Sequence, residues 1–101
     1  SPLNFIGGGA QSDLWCQILA DVLDRDIRQV EYPMQANARG AAFIAAVGLG
    51  YIDFTDIPDL IRFRHTYHPQ PDNRETYDRL FTEFITIYIK NRTIFRRLNA
   101  A

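Results

Sequence analysis

The sequence has little cysteine, no excess of charge and no long apolar run. Cys16 is the only cysteine among 101 residues, which excludes an internal disulfide and favours a cytoplasmic compartment over secretion. With 11 Lys and Arg against 12 Asp and Glu, the formal charge is -1, so no global field attracts nucleic acid or an anionic membrane. The longest weakly polar run, residues 40–52, is too short to span a bilayer. We therefore expect neither nucleic acid nor a membrane as a partner.

The composition that remains is that of an ordinary globular protein. Apolar residues make up 47% of the chain and charged residues 23%, which disfavours disordered, collagen-like and disulfide-scaffold classes. A chain of 101 residues can hold one small core, so residues 1–101 are treated as a single unit. Because the chain begins abruptly before a predicted strand, we expect it to be a piece of a larger domain.

Glycine is scarce, but three of the six glycines are consecutive. Gly7–Gly9 lies between the apolar run Asn4–Ile6 and an amphipathic helix that Ser12 or Asp13 is expected to cap. Residues without a Cβ let a ligand approach the backbone closely, and the unpaired N–H groups at a helix start attract a phosphate. The pattern predicts half of a nucleotide site, and a tight structural turn without a ligand is the alternative.

Two better-known glycine motifs fit this turn less well. A Walker loop is excluded because no Gly-Lys-Ser/Thr follows the glycines. A dinucleotide fingerprint is met in part, since Gly7–Ala10 supplies Gly-x-Gly and Glu31 follows at the spacing of a ribose-binding acid. However, Ser12 takes the place of the third small residue, and the rest of the chain offers no third strand for a mononucleotide-binding half. We therefore rank this alternative low.

Hydrophobic periodicity predicts a strand, a helix, a second strand, a second helix, a connecting segment and a long final helix. The first helix should end near residues 24–26, and the second strand covers Ile27–Tyr32. Two strands joined through a helix should be parallel, with a right-handed crossover. The second helix, Ala36–Leu49, consists largely of small residues and is expected to be buried by packing.

The second half of the chain carries weaker signals. Tyr51–Ile61 is expected to be a loop with a helical turn that contains Pro58 in its first turn. Residues 62–68 alternate in polarity as an extended segment does. The final helix should begin after Asp72 or Asn73 and run for about 23 residues at helical periodicity.

Two helical faces are expected to form the core. The face of the first helix consists of Leu14, Trp15, Ile18, Leu19, Val22 and Leu23, with Gln17, Asp21 and Arg25 on the opposite side. The face of the last helix consists of Tyr77, Leu80, Phe81, Phe84, Tyr88 and Phe95.

Three blocks that together span nearly the whole chain carry a family resemblance. The first is Ile6-Gly7-Gly8-Gly9-Ala10-Gln11-Ser12-Asp13-Leu14-Trp15, with its continuation to Leu23. The second is Arg39-Gly40-Ala41-Ala42-Phe43-Ile44-Ala45-Ala46-Val47-Gly48. The third is the tail, with Tyr67, Pro69, Tyr77-Asp78, Leu80-Phe81, Phe84, Tyr88 and Leu98-Asn99. These blocks resemble the C-terminal part of the C-terminal domain of FGGY-family carbohydrate kinases, most of all the xylulokinase branch.

The resemblance implies an α/β fold, namely part of the ribonuclease-H-like (actin-like ATPase) fold with strand-helix-strand-helix and a long C-terminal helix. It implies that the intact protein is a kinase that uses ATP with Mg²⁺ and transfers the γ-phosphate to a sugar hydroxyl. In that family the glycine turn lines the ATP or ADP site. By resemblance, Gly8, Gly9 and Ala10 approach the α-phosphate and ribose, Ser12 borders the pocket, and Asp13 faces the adenine or ribose.

The resemblance also implies what these residues do not supply. The family's catalytic Asp, first phosphate loop and sugar pocket have no counterpart here, so no catalytic residue is assigned and the 101 residues alone are expected to be inactive. Two local departures occur. Residues 33–37 lack the acidic residue that the family usually has there, and residues 24–26 read Asp-Arg-Asp where the family often has Gly-Arg-Pro.

The alternative from another class is a non-enzymatic helical interaction module, in which the glycine turn is structural and the first strand pairs with a partner. The apolar edge at Leu3, Phe5 and Ile6 is expected to be exposed, which predicts a homodimer or a strand-swapped assembly.

His65 and His68 lack the further ligands of a metal site, so no metal is assigned. Cys16 is expected to be partly exposed.

Overall fold

The computed structural model describes residues 1–100, which divide into two compact units, Ser1–Pro69 and the residues from Gln70 onward. The first unit contains the strands β1 (Leu3–Phe5), β2 (Ile27–Val30) and β3 (Phe63–Tyr67) and the helices α1 (Asp13–Leu23), α2 (Ala36–Gly48) and α3 (Ile57–Leu60). Short 3₁₀ turns lie at Gly8–Gln11, Pro33–Gln35, Phe54–Asp56 and Pro71–Asn73. The second unit consists mainly of α4 (Arg74–Asn99).

The three strands form one sheet in the order β1-β2-β3. β1 and β2 are parallel, with Leu3 opposite Ile27, which confirms the predicted pairing. The extended segment is also confirmed, since β3 is antiparallel to β2 with Tyr67 opposite Ile27. β3 does not overturn the expectation that no third strand completes a mononucleotide-binding half. Because β3 is antiparallel, it still does not build the parallel mononucleotide-binding half that a dinucleotide site requires.

The ends of α1 follow from its flanking residues. The Ser12 hydroxyl oxygen accepts a hydrogen bond from the N–H of Trp15 at 3.2 Å, so Ser12 is the cap. At the other end Asp24 adopts a left-handed conformation, with φ 52° and ψ 44°, and its N–H donates to the Ala20 carbonyl. Both ends of the helix are confirmed.

The predicted buried face of α1 is wrong. Cys16 and Ala20 are fully buried and pack with Ile27 of β2, while Leu3, Phe5, Leu19 and Tyr67 are partly buried against this core. The other five predicted core residues of the helix, Leu14, Trp15, Ile18, Val22 and Leu23, are exposed, and Asp21 from the opposite side is buried. Small side chains four residues apart let a helix lie close to a sheet, which explains the choice of face. Cys16 is consequently buried and not partly exposed.

The small-residue helix α2 behaves differently from its prediction. None of its residues is buried, so the expectation of burial is wrong for the part of the chain described here. Alanine offers little apolar area, and packing of such a helix depends on a partner that comes close. The helix ends near its glycines, as predicted. Its last residue is Gly48, Leu49 is the C-cap, and Gly50 has a φ of 81°.

The segment before β3 has the predicted helical turn. Asp53 and Asp56 form a capping box over the 3₁₀ turn, and the main-chain N–H of Asp53 donates to the Asp56 carboxylate at 2.9 Å. α3 follows with Pro58 in its first turn, where the missing N–H costs no hydrogen bond.

The second unit is dominated by a helix of 26 residues, α4, which begins at Arg74 after Asn73 and is slightly longer than predicted. Arg74 donates to the Asp78 carboxylate at 3.0 Å, one turn further along the helix. None of the residues of α4 is buried, so the core role expected for its aromatic face is not seen in the described residues. Among residues 1–100, no helix combines the length and apolarity that crossing a membrane requires.

Candidate functional site

The glycine turn lies at the end of β1 and leads directly into α1. Gly7 has a φ of 87°, a region that glycine adopts without strain. The N–H of Gly7 donates to the Pro33 carbonyl at 3.0 Å, which ties the turn to the segment that follows β2. The ends of the two parallel strands therefore meet at this edge of the sheet, where ligands of α/β proteins usually bind.

Gly8 and Gly9 have different surroundings. A Cβ at Gly8 would contact only the sulfur of Met34, at an ordinary distance of 3.7 Å. A Cβ at Gly9 would lie 3.2 Å from a ring carbon of Phe5 and 3.2 Å from a ring carbon of Trp15, which is tighter than normal packing. Packing by the chain's own rings thus explains glycine at position 9, whereas the space beside Gly8 is open.

The remaining predicted site residues make hydrogen bonds within the protein. Ala10 is fully buried, and its carbonyl accepts from the Gln29 side-chain NH₂ at 2.7 Å. Asp13, the first residue of α1, accepts from the same NH₂ group at 3.2 Å. Ser12 between them caps the helix. All five predicted residues lie in residues 8–13, in the turn after β1 and at the start of α1.

Gln29 joins this segment to the sheet. The residue lies in β2, is 1% exposed, and its side-chain carbonyl accepts from the Tyr67 hydroxyl at 3.3 Å. A buried amide must have its hydrogen bonds satisfied, because burying an unpaired polar group costs free energy. Here both the donor and acceptor groups of Gln29 have partners, which come from the glycine turn, α1 and β3.

The network shifts the pKa values of three groups. Hydrogen bonding from Gln29 lowers the pKa of Asp13 below its ordinary value of 3.8, and the nearby Tyr67 hydroxyl acts in the same direction against a smaller opposing effect of burial. Burial raises the pKa of Tyr67, and Asp13 adds to that effect. Burial also raises the pKa of the Cys16 thiol, which therefore stays protonated and unreactive at neutral pH.

Replacing Asp13 with asparagine is expected to reduce the acid sensitivity of the fold. A carboxyl group with a lowered pKa in the folded state stabilises the fold above its ordinary pKa, and this contribution is lost as the pH falls through the folded-state pKa. The amide keeps an oxygen that accepts from Gln29 but does not titrate. Urea unfolding midpoints at about pH 7 and about pH 3 measure the effect. The midpoint should fall less in Asp13→Asn than in the unmodified chain, and an equal fall in both would contradict the assigned network.

An open groove of about 710 Å³ adjoins the turn. Apolar and aromatic side chains of Tyr32, Met34 and Phe63 line it together with Arg64. Its other lining residues are Ala10, Gln11, Gln29, Glu31, Pro33 and Gln35. Its volume lies in the range of sites that hold small molecules.

Tyr32 lines this groove and a second one of about 690 Å³. It is a bulky residue in the left-handed region, with a φ of 50°, and its side chain is 67% exposed. Backbone strain of this kind costs about 1–3 kcal/mol and clusters at functional sites. The second groove also contains Arg39, Phe43 and Arg62.

The two histidines make local contacts within the first unit. His68 Nδ1 lies 2.8 Å from a carboxylate oxygen of Asp26, and the His65 ring packs edge-on against Tyr67 with centroids 4.6 Å apart. Gln17 donates to the His68 carbonyl at 2.8 Å, which fastens the end of β3 to α1. Within residues 1–100, no three His, Cys, Asp or Glu side chains are placed to hold a metal ion.

Comparison with known proteins shows the family of this chain. Residues 1–49 match the family model described as the C-terminal domain of the FGGY family of carbohydrate kinases. An autoinducer-2 kinase from Photorhabdus laumondii is 35% identical over 94 residues, which is 91% of this chain and 18% of the relative. The chain belongs to the FGGY family. A xylulose kinase from Bacillus subtilis is 32% identical over 91 residues, or 88% of this chain and 18% of the relative.

Solved structures extend the match to the fold of this FGGY domain. The crystal structure of xylulose kinase from Rhodospirillum rubrum superimposes with a TM-score of 0.73 at 34% identity, covering 93% of this chain and 19% of that protein. A ligand-bound xylulose kinase from Lactobacillus acidophilus gives a TM-score of 0.84 at 24% identity, over 97% of this chain and 20% of that protein. The predicted family and the predicted actin-like ATPase fold are confirmed. The chain spans about a fifth of the length of its relatives.

Sequence reasoning did not name Gln29, and it named Tyr67 only as part of the family resemblance. Gln29 lies 19 residues from Ala10 and 38 residues from Tyr67 in the sequence, so no local motif connects them. One signal was available. Gln29 is two residues after Ile27 and therefore shares its face of the strand, which makes a polar residue at a core-facing position a candidate for a buried hydrogen-bond network.

Proposed function

We propose that the intact protein is an ATP-dependent kinase that transfers the γ-phosphate of ATP to a hydroxyl of a small sugar. We propose further that this chain supplies part of its nucleotide site. The observation that carries the proposal is the match along most of the chain to proteins named autoinducer-2 kinase and xylulose kinase. Relatives that differ in substrate name share a family whose model describes carbohydrate kinases, so the reaction class is better supported than the particular sugar.

The glycine turn is the proposed contact for the phosphates and ribose. The open space beside Gly8 lets a ligand reach the main chain, since only the Met34 sulfur is near. Asp13 and Leu14 lie in the first turn of α1, where N–H groups have no acceptor within the helix. Such groups, together with the positive end of the helix dipole, favour a phosphate oxygen. Gly9 lies against the rings of Phe5 and Trp15, Ala10 is buried and Ser12 caps α1, and these three residues shape the turn.

The groove beside the turn is the proposed place for the adenosine. Tyr32, Met34 and Phe63 offer apolar and aromatic surface to a purine ring, and Arg64 brings a positive charge to the same wall. ATP is used by such kinases with Mg²⁺, which neutralises charge on the phosphates, and no ligand of that ion is assigned to this chain.

An ATP-dependent reaction and an unpaired, buried thiol at Cys16 both fit a cytoplasmic location.

The free edge of β1 bears on the association state. β1 pairs with β2 alone among the described strands, and Ile6 at its end is exposed, although Leu3 and Phe5 pack partly against the core. An unpaired strand edge recruits further strands. The self-association predicted for the 101-residue chain stays a prediction, and light scattering measures it.

Kinase activity of the intact protein is tested by an assay that couples ADP release to a colour change. Xylulose and autoinducer-2 are the first substrates to offer, because relatives of this chain are named for them, and a panel of other small sugars follows. We expect sugar-dependent ADP release by the intact protein and none by the 101-residue chain, which has no assigned catalytic base. ATP binding without phosphate transfer to any sugar in the panel would contradict the proposed reaction. Turnover by the 101 residues alone would contradict the expectation that the catalytic groups lie elsewhere in the intact protein.

A further inference from the structure

We propose that Gln29 is a positioning residue for the nucleotide site, because it fixes the glycine turn and the Asp13 side chain in the arrangement that receives the nucleotide. The inference rests on the proposed function. Gln29 lines the groove proposed for the adenosine, but it is almost fully buried and both ends of its amide bond to groups of the protein. It acts through Ala10, at the end of the turn, and through Asp13, at the start of α1.

The orientation of the Gln29 side chain follows from the chemistry of its neighbours. The Ala10 carbonyl, at 2.7 Å, and the ionised Asp13 carboxylate, at 3.2 Å, are both acceptors only. The NH₂ end of the amide must therefore face them, and the carbonyl end must face the Tyr67 hydroxyl at 3.3 Å. The opposite orientation would place an oxygen against two oxygens.

The pairing of β2 with β3 is irregular beside Gln29. Gln29 is opposite His65, whereas the next residue, Val30, is opposite Phe63, so the register shifts and Arg64 is the additional residue on β3. Such a bulge bends a strand and redirects its side chains. Gln29 and Val30 are neighbours on β2, the central strand, and both are buried, so both faces of the sheet are covered at this point.

The contacts explain why the geometry of the site depends on one amide. Gln29 donates to the Ala10 carbonyl and to the Asp13 carboxylate, which lie on either side of the Ser12 cap. Without the amide, the Ala10 carbonyl would lose its strongest partner and keep only the weak contact to the Cys16 thiol at 3.9 Å. The Asp13 carboxylate would lose its hydrogen bond from Gln29 and keep the Tyr67 hydroxyl as a neighbouring donor. Both changes occur where the nucleotide is proposed to bind.

The test replaces Gln29 with methionine, which keeps the length and apolar volume of the side chain and removes both hydrogen-bonding ends. ATP affinity of the intact protein is measured by calorimetry, and kcat and KM are measured for ATP and for the sugar. We expect the Kd for ATP to rise about three- to tenfold, the loss expected from one or two hydrogen bonds. The KM for the sugar should stay within about twofold, because a positioning role for nucleotide binding does not act on the sugar.

Val30→Ala is the matched control for a purely structural effect. Val30 is the buried neighbour of Gln29 on β2, and its truncation destabilises the core without removing a hydrogen bond to the turn. Its ATP affinity should equal that of the unmodified protein. Equal weakening in Val30→Ala and Gln29→Met would assign the effect to stability and overturn the proposal.

A second variant, Gln29→Glu, keeps the inference testable if the methionine variant does not fold. Its carboxylate faces the Asp13 carboxylate and the Ala10 carbonyl, and like charge together with burial raises the pKa of such a group. On lowering the pH from about 8 to about 6 the new carboxyl group takes up a proton and regains a donor, so ATP affinity should recover. Tyr67, Cys16, Arg64 and His65 also face this region, and the unmodified protein, which contains them all, is measured over the same pH range as the control.

The outcomes separate the two proposals. ATP binding that is unchanged in Gln29→Met and independent of pH in Gln29→Glu would overturn the positioning role and leave the kinase proposal intact. Absence of ATP binding and of phosphate transfer in the unmodified protein would overturn the kinase proposal, and the positioning role with it.

Discussion

Replacing Ile27 with alanine is expected to lower the free energy of unfolding of the 101-residue chain by about 3 kcal/mol, within the range measured for such truncations. Ile27 is fully buried and is the largest fully buried side chain among residues 1–100. It packs with Cys16 and Ala20, which are too small to move into the vacated space. Because small domains are stable by only about 5–15 kcal/mol, the loss should shift the urea midpoint clearly.

Ile18→Ala is the control for this prediction. It makes the same chemical change on α1, where Ile18 is 39% exposed, so little of its side chain is removed from an apolar environment. We expect a loss of less than about 1 kcal/mol, as for substitutions away from a packed core. A larger loss at Ile18 than at Ile27 would mean that the outward face of α1 is covered in solution, for example by a second copy of the chain.

Local signals predicted much of the fold. The glycine run, the Ser12 cap and the left-handed Asp24 are each determined by neighbouring residues, and such effects are visible in the sequence. Pro58 marked its helical turn for the same reason. The parallel pairing of β1 and β2 followed from the helix between them, since a parallel pair needs a crossover.

The buried face of α1 could not be predicted in the same way. Hydrophobic periodicity identifies which side chains are apolar, but the surface that the sheet offers decides which of them are covered. Cys16 and Ala20 are buried because they permit close approach to Ile27, while the larger Leu14 and Trp15 on the other side remain exposed. Burial is a tertiary property, and the amphipathic pattern gave the wrong side.

The candidate site was likewise predicted only where neighbouring residues determine it. The position of the turn, between a strand and a capped helix, was predicted from residues 4–13. The separate environments of Gly8 and Gly9 were not, because Trp15 and Met34 reach the turn only in the folded chain. Gln29 was missed because its bonds connect residues far apart in sequence. The family resemblance led to the proposed place and reaction class, and the structure shows the hydrogen bonds that hold the turn.

Gly8→Ala is expected to weaken ATP binding by the intact protein at least about tenfold, equivalent to about 1.4 kcal/mol, without changing its stability measurably. The added methyl group would contact only the Met34 sulfur at 3.7 Å, and Gly8 does not have a positive φ, so the fold accepts alanine. The methyl group would instead occupy the space through which a phosphate or ribose approaches the main chain. Calorimetric titration with ATP and a thermal unfolding curve measure the two effects.

Gly48→Ala is the matched control, because a Cβ there meets no atom within 4 Å and the residue ends α2, away from the turn. Its ATP affinity should equal that of the unmodified protein, and its stability should be equal or slightly higher, since alanine favours a helix over glycine. Loss of ATP binding in Gly8→Ala but not in Gly48→Ala would support a nucleotide in contact with the turn. If both variants bind ATP as the unmodified protein does, the main chain at Gly8 is not in contact with the nucleotide, and the open glycine serves only to shape the path from β1 into α1.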